Sequence, residues 1–151
     1  MLPSNVNKVL VDNLKWCFDD NFSKDLNKFV TSEEDREYFH QTLKVKNLDS
    51  AFIDFYSVVA FVPTGKGEEL YNLESILEEN NSENFDDEIP KEVGSRYLKF
   101  TSMEGEGSYF YDVETDAVYD VNWGEEELMV SGEKQPWFTS FYDFIEWYYA
   151  E

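Results

Sequence analysis

The chain predicts an α+β fold, and three observations carry that reading. Apolar residues recur at helical three- and four-residue spacing in the first part of the chain. Aromatic residues alternate along a hairpin-like stretch between Tyr109 and Trp123. An amphipathic segment, Ser140–Tyr149, closes the sequence. Helices first, strands next and a packed terminal helix imply N-terminal helices, a central, mostly antiparallel or mixed sheet, and a C-terminal helix lying on it. At 151 residues, one domain spanning 1–151 is the natural expectation. A hydrophobic share of 42% and an aromatic share of 18% supply a core despite the heavy charge.

The elements follow in order. Val6, Val9, Leu10, Leu14, Cys17 and Phe18 form a helical stripe that continues loosely through Phe22, Leu26 and Phe29, with Pro3 suited to the first turn. Thr31-Ser32 ahead of Glu33, Glu34 and Asp35 reads as an N-cap and an acidic first turn, opening a second helix to about Lys44. Ser50–Val62 fits helix and strand equally, and Pro63–Gly67 ends it in a turn. Leu70–Leu73 reads as a short strand, Leu73–Leu77 as a helical turn, and the acidic Glu78–Glu88 as an exposed loop. Tyr97–Phe100 is strand-like and runs into a Glu-Gly-Glu-Gly turn at 104–107. Tyr109–Val113 and Val118–Trp123 then flank a turn at Glu114–Ala117. Alternation places Tyr109, Tyr111 and Val113 on one face, and sets Val118, Asp120 and Asn122 against Tyr119, Val121 and Trp123. A polar spacer leads to the last helix, which Ser140 is placed to cap with Asp143 three positions on. Phe141, Phe144, Ile145 and Tyr148 make its apolar stripe.

Charge narrows the function classes. The net charge is −21, and the stretch from Glu68 to Glu127 alone holds 19 acidic residues against Lys91, Arg96 and Lys99. Direct nucleic-acid binding and anionic membranes are disfavoured, since both need Lys/Arg patches. The longest apolar-rich run, Ala51–Val62, is too short to span a bilayer, and Met1–Trp16 lacks the pattern of a signal peptide. With the lone Cys17 these features predict a cytoplasmic protein. The acidic field itself has two readings, a solubilising surface or one that steers toward a basic protein.

The chemical motifs fail on spacing. Asp112, Glu114 and Asp116 alternate as in a calcium loop, but the required Gly and Glu positions hold Ala117 and Trp123. Glu104 and Glu106 bracket a glycine and suggest an acid/base pair, although carboxylates so placed are far more often solvent-facing turn residues. Gly105 and Gly107 have no following Lys-Ser/Thr to cradle a phosphate. One histidine, His40, and one cysteine assemble neither a zinc cluster nor a Cys/His pair. No enzyme, cofactor or metal is expected. Trp123 beside Glu125–Glu127 has two readings, a binding anchor rimmed by charge or a residue that closes the core. Trp137 and Trp147 read as core.

The run from Gly105-Glu106-Gly107-Ser108 through Tyr109–Asp112, the turn at Glu114–Ala117, Val118-Tyr119 and the closing helix from Ser140-Phe141 to Ile145 resembles the SUKH superfamily. The resemblance covers about the last third of the chain; upstream, the family's Leu-Pro motif has no counterpart, and Ala51–Tyr56 takes the place of the helix after it. That family is similar in fold to the yeast cell-wall regulators and is widespread among bacterial immunity proteins, which neutralise toxins of polymorphic and contact-dependent systems, often nucleases, by direct binding. The resemblance therefore implies an α+β, non-catalytic protein that binds a cognate basic toxin domain. The family's binding residues vary with the toxin, so the toxin-binding face is read here from the acidic surface itself: Glu104, Glu106, Asp112, Glu114, Asp116, Asp120, Glu125, Glu126 and Glu127, with Trp123 as an anchor. The competing expectation is a cytosolic interaction or scaffold protein of the same fold without a toxin partner. Monomer and homodimer stay equally open.

Overall fold

The computed structural model describes residues 2–14, 33–42, 50–59, 70–71, 73–81, 83, 85, 87–101 and 107–150. The readings of Cys17, Phe22–Phe29, the Thr31-Ser32 cap and the turns at 63–67 and 104–106 lie outside them. In chain order the elements are helices α1 (Ser4–Leu14), α2 (Glu33–Thr42), α3 (Ala51–Val59) and α4 (Leu73–Glu79), strands β1 (Tyr97–Lys99), β2 (Gly107–Asp112) and β3 (Val118–Asn122), and helices α5 (Glu126–Ser131) and α6 (Phe141–Tyr149). The fold is α+β. The strands form an antiparallel sheet in the order β1-β2-β3, with Leu98 opposite Tyr111 and Tyr111 opposite Val118.

Sequence parity sorts the sheet into two faces. On the first, Leu98, Phe100, Tyr109, Tyr111, Val113 and Val118 enter a core with α1, α3 and α6. The helices contribute their stripes: Val6 and Leu10 from α1, and Phe141, Phe144, Ile145, Tyr148 and Tyr149 from α6. Phe52 of α3 lies at its centre. Its ring stacks on Tyr111 at 4.3 Å and meets Phe141 edge-on at 5.1 Å. Such pairs add roughly 0.5–1.5 kcal/mol beyond the area they bury.

The ambiguous segment is resolved as α3. Ser50 starts it, its Oγ accepting the Ile53 N–H at 3.2 Å. Phe52, Ile53, Phe55 and Tyr56 are all buried, and Asp54 between them is buried too. A helix enclosed nearly all round has no polar stripe, so its sequence shows no clear period.

The second face carries a smaller core of Val93, Tyr97, Phe110, Val121 and Met129, with Phe85, Ile89, Tyr119 and Val130 packed on it. The residues read as a polar spacer therefore include α5, whose Met129 is buried. Gly132 ends α5 at φ 85°, a left-handed position that favours glycine.

The loop reading of 78–88 is also corrected at its start. The α4 helix runs to Glu79, and the next residue, Asn80, is buried. Its side chain accepts the Lys99 N–H and donates to the Lys99 carbonyl, both at 2.8 Å, so an amide takes the place of a neighbouring strand there. At the other edge, Val118 exchanges backbone hydrogen bonds with Phe138. Among the described residues no helix is long and apolar enough to cross a membrane.

Candidate functional site

The hairpin turn between β2 and β3 holds three of the carboxylates that the sequence placed on a binding face, and the structure uses all three internally. Asp112 is fully buried on the second face. Its two oxygens accept from Arg96 Nε and a terminal Arg96 nitrogen, each at 3.1 Å. One oxygen also accepts the Glu114 N–H at 2.9 Å, and the other the Thr115 hydroxyl at 2.8 Å. Burial alone would raise the Asp112 carboxyl, but the Arg96 bonds, the Glu114 N–H and the Thr115 hydroxyl outweigh it and hold the group below its ordinary value. Arg96 is shifted up, first by its hydrogen bond to Asp112. Asp112 is thus removed from the candidate interface, because a carboxylate with no exposed surface and four donors cannot meet a partner.

Asp116 is likewise committed. It occupies the left-handed region at φ 68°, which Asp tolerates better than most residues. One carboxylate oxygen accepts the Tyr111 hydroxyl at 2.7 Å and the other the Phe141 N–H at 3.3 Å. The second bond corrects the cap of α6: Ser140 makes no side-chain capping bond, and a carboxylate from the hairpin serves the helix's first N–H instead. Burial raises the Asp116 carboxyl above its ordinary value, and the repulsion of Asp143 adds to it, against the lowering effect of these two hydrogen bonds. Tyr111 is raised in turn by its own burial and by the Asp116 charge.

Glu114 is exposed on the turn and pairs with the same guanidinium at 3.4 Å. Glu125 is half-buried and pairs with Lys134 at 3.3 Å. Exposed pairs of this kind are worth little, a median of roughly 0–1 kcal/mol, so both side chains can exchange partners. Glu104 and Glu106 lie outside the described residues.

The other residues of the candidate binding face lie along the end of β3 and the start of α5, with Asp120 on the first face of the sheet and Trp123 on the second. Asp120 is exposed, Glu127 is exposed and Glu126 is half-buried, the last two in the first turn of α5. Trp123 is 67% exposed, so it does not close the core. Gly124, at φ 84°, turns the chain between β3 and α5, and Trp123 and Glu126 line one recess on either side of it. Trp137 and Trp147, read as core, are 40% and 47% exposed. Their rings meet at 4.5 Å and cover Tyr109 from outside, a lid over the first core rather than part of its interior.

Sequence reasoning missed a cavity of about 380 Å³ on the second face. Phe85, Phe110, Val121 and Trp123 line it, with Ser108 in its wall and Glu88 and Glu126 at its margin. The parity of Ser108, Phe110, Val121 and Trp123 was the available signal: an apolar second face must be covered or form a recess. Among the described residues, no three or more His, Cys, Asp or Glu side chains gather as metal ligands. Comparison of the chain with family models, curated proteins and solved structures gives no match.

Proposed function

We propose that this protein is a non-catalytic immunity protein of the SUKH type that binds and neutralises a basic toxin domain, a nuclease, of a polymorphic or contact-dependent toxin system, in the cytoplasm. The observation that carries the reading is Trp123, a large aromatic held 67% exposed in an acidic surround. A tryptophan anchor inside a charged rim is the usual make-up of an interface hot spot. The net charge of −21 supports a basic partner, because such a field speeds encounter with a cationic surface and repels phosphate. Nuclease domains are basic for the opposite reason. The resemblance carried by Gly107–Asp112, Val118-Tyr119 and Ser140–Ile145 points the same way.

The interface centres on Trp123 and Glu126, with Glu125 and Glu127 from the same turn into α5; Asp120, on the first face of the sheet, and Glu114, at the far end of the hairpin, lie apart from it. Asp112 and Asp116 hold the turn at the far end of the hairpin in shape. The test combines Trp123→Ala with Glu126→Lys and Glu127→Lys. Binding to the toxin domain and growth protection are expected to fail while circular dichroism and the unfolding midpoint stay close to wild type. Full protection by that variant places the interface elsewhere.

A further inference from the structure

We propose that the cavity on the second face of the sheet receives an arginine side chain projected by the basic partner, so that it is the anchor pocket of the interface; this rests on the partner reading above. The cavity, about 380 Å³, falls in the range of small-ligand sites, roughly 300–1,000 Å³. Its walls are apolar and aromatic: Phe110 and Val121 from the sheet, Phe85 opposite, and Trp123 at the mouth. A flat guanidinium on a hydrocarbon stem matches such walls, since it stacks on aromatic faces and is more weakly hydrated than an ammonium.

The charges select a cation. Lys99 also lines the cavity, but its ammonium is paired with Glu79 at 3.3 Å. Glu88 and Glu126 remain, and neither has an ion-pair partner among the described residues. The wall supplies an independent sign of a missing donor. Ser108 is 6% exposed, and its Oγ has no hydrogen-bond partner among the described residues. Strand parity puts that hydroxyl on the face of Phe110 and Val121, and a serine χ1 has three staggered wells through which it can turn toward an incoming N–H. Buried hydroxyls are normally satisfied, so an unsatisfied one beside a cavity marks where a donor belongs. A guanidinium brings five donors and carries charge for the two glutamates.

The test titrates n-butylguanidinium into the uniformly ¹⁵N-labelled chain, with n-butylammonium and n-pentanol as controls. Saturable shifts are expected at Ser108, Phe110, Val121, Gly124 and the Trp123 indole. The guanidinium should bind more tightly than the ammonium, and pentanol more weakly than either. Trp123→Ala and Glu126→Gln should each weaken binding by about tenfold, and Ser108→Ala, which removes an acceptor without adding volume, by a few-fold. Ammonium or pentanol binding as tightly as guanidinium overturns the arginine assignment, as do diffuse, unsaturable shifts or variants that bind like wild type.

A second arm separates this idea from the function it rests on. The chain is co-purified with the products of its native operon, as wild type and as Ser108→Ala/Trp123→Ala. A basic protein held by the wild type and lost by the variant supports the pocket as anchor. A basic protein held equally by both overturns the pocket and leaves the partner reading standing. Guanidinium binding by a chain that retains no basic protein overturns the partner reading, and with it a protein as the arginine's source.

Discussion

The two faces of the sheet are built from the same three strands and end up in different states. The first is sealed by α1, α3 and α6 over a continuous aromatic core, with Phe52, Phe100, Phe141 and Phe144 fully enclosed. Among the described residues the second is covered by the six-residue α5 and by Phe85, Ile89 and Val93, and it keeps a cavity of about 380 Å³. Each face also holds one hairpin carboxylate in a different condition. Asp112, on the second face, is stabilised as an anion by a guanidinium, whereas Asp116 is half-buried and tied to Tyr111 and α6, with no ion-pair partner among the described residues. One side of the sheet therefore holds the molecule together, and the other has room left for a ligand.

Substitutions on the two sides should separate these roles. Phe52→Ala, at the centre of the sealed face, is expected to cost about 3–5 kcal/mol by removing a ring that stacks on Tyr111 and leaving a cavity. Denaturant unfolding measures it, and a cost below 1 kcal/mol would mean the first face is as loosely packed as the second. Asp112→Ala should cost less, about 2 kcal/mol. It breaks charge-assisted hydrogen bonds, but Arg96 is 38% exposed and water recovers part of the loss.

The two carboxylates should also differ in the sign of their pH dependence. Asp112 is lowered on folding, so its contribution is present above the unfolded carboxyl value near pH 4 and disappears as pH falls through its lower folded value. Asp116 is raised, so its ionised form costs stability above the folded value, and that cost is relieved as pH falls through it. Unfolding free energies of wild type minus Asp116→Asn should therefore rise between pH 7 and pH 4. Wild type minus Asp112→Asn should be flat there and fall below about pH 4. Equal slopes would contradict the assignment. The smallest effect is expected for Trp123→Ala, within about 0.5 kcal/mol of wild type in thermal or urea unfolding. A larger loss would make that indole a structural residue and weaken its reading as an anchor.

Several features were legible before the structure because they repeat at short range. The hairpin showed in its alternation, and β2 and β3 fall within two residues of the expected spans. The stripe of Phe141, Phe144, Ile145 and Tyr148 marked α6 and its buried side. The helix α3 was not legible, since burial on all sides erases the contrast on which periodicity depends. The candidate site was half legible. Composition located an acidic surface, and of the two readings of Trp123 its exposure removes the one in which it closes the core. The alternating Asp112, Glu114 and Asp116 read as three equivalent surface charges, whereas one is enclosed, one is paired on the outside, and one caps a distant helix.

The α+β class, the hairpin, the closing helix and the sign of the electrostatic field could be read from the residues alone, because each depends on local spacing or on a sum over residues. Which carboxylates face solvent, what caps α6 and where the second face stays open were set by long-range packing. Those outcomes depend on partners far apart in the chain: Arg96 reaches Asp112 across 16 positions, and Asp116 reaches Phe141 across 25. A buried polar group must find its hydrogen-bond partner wherever the fold brings one, and no local pattern records which residue that will be.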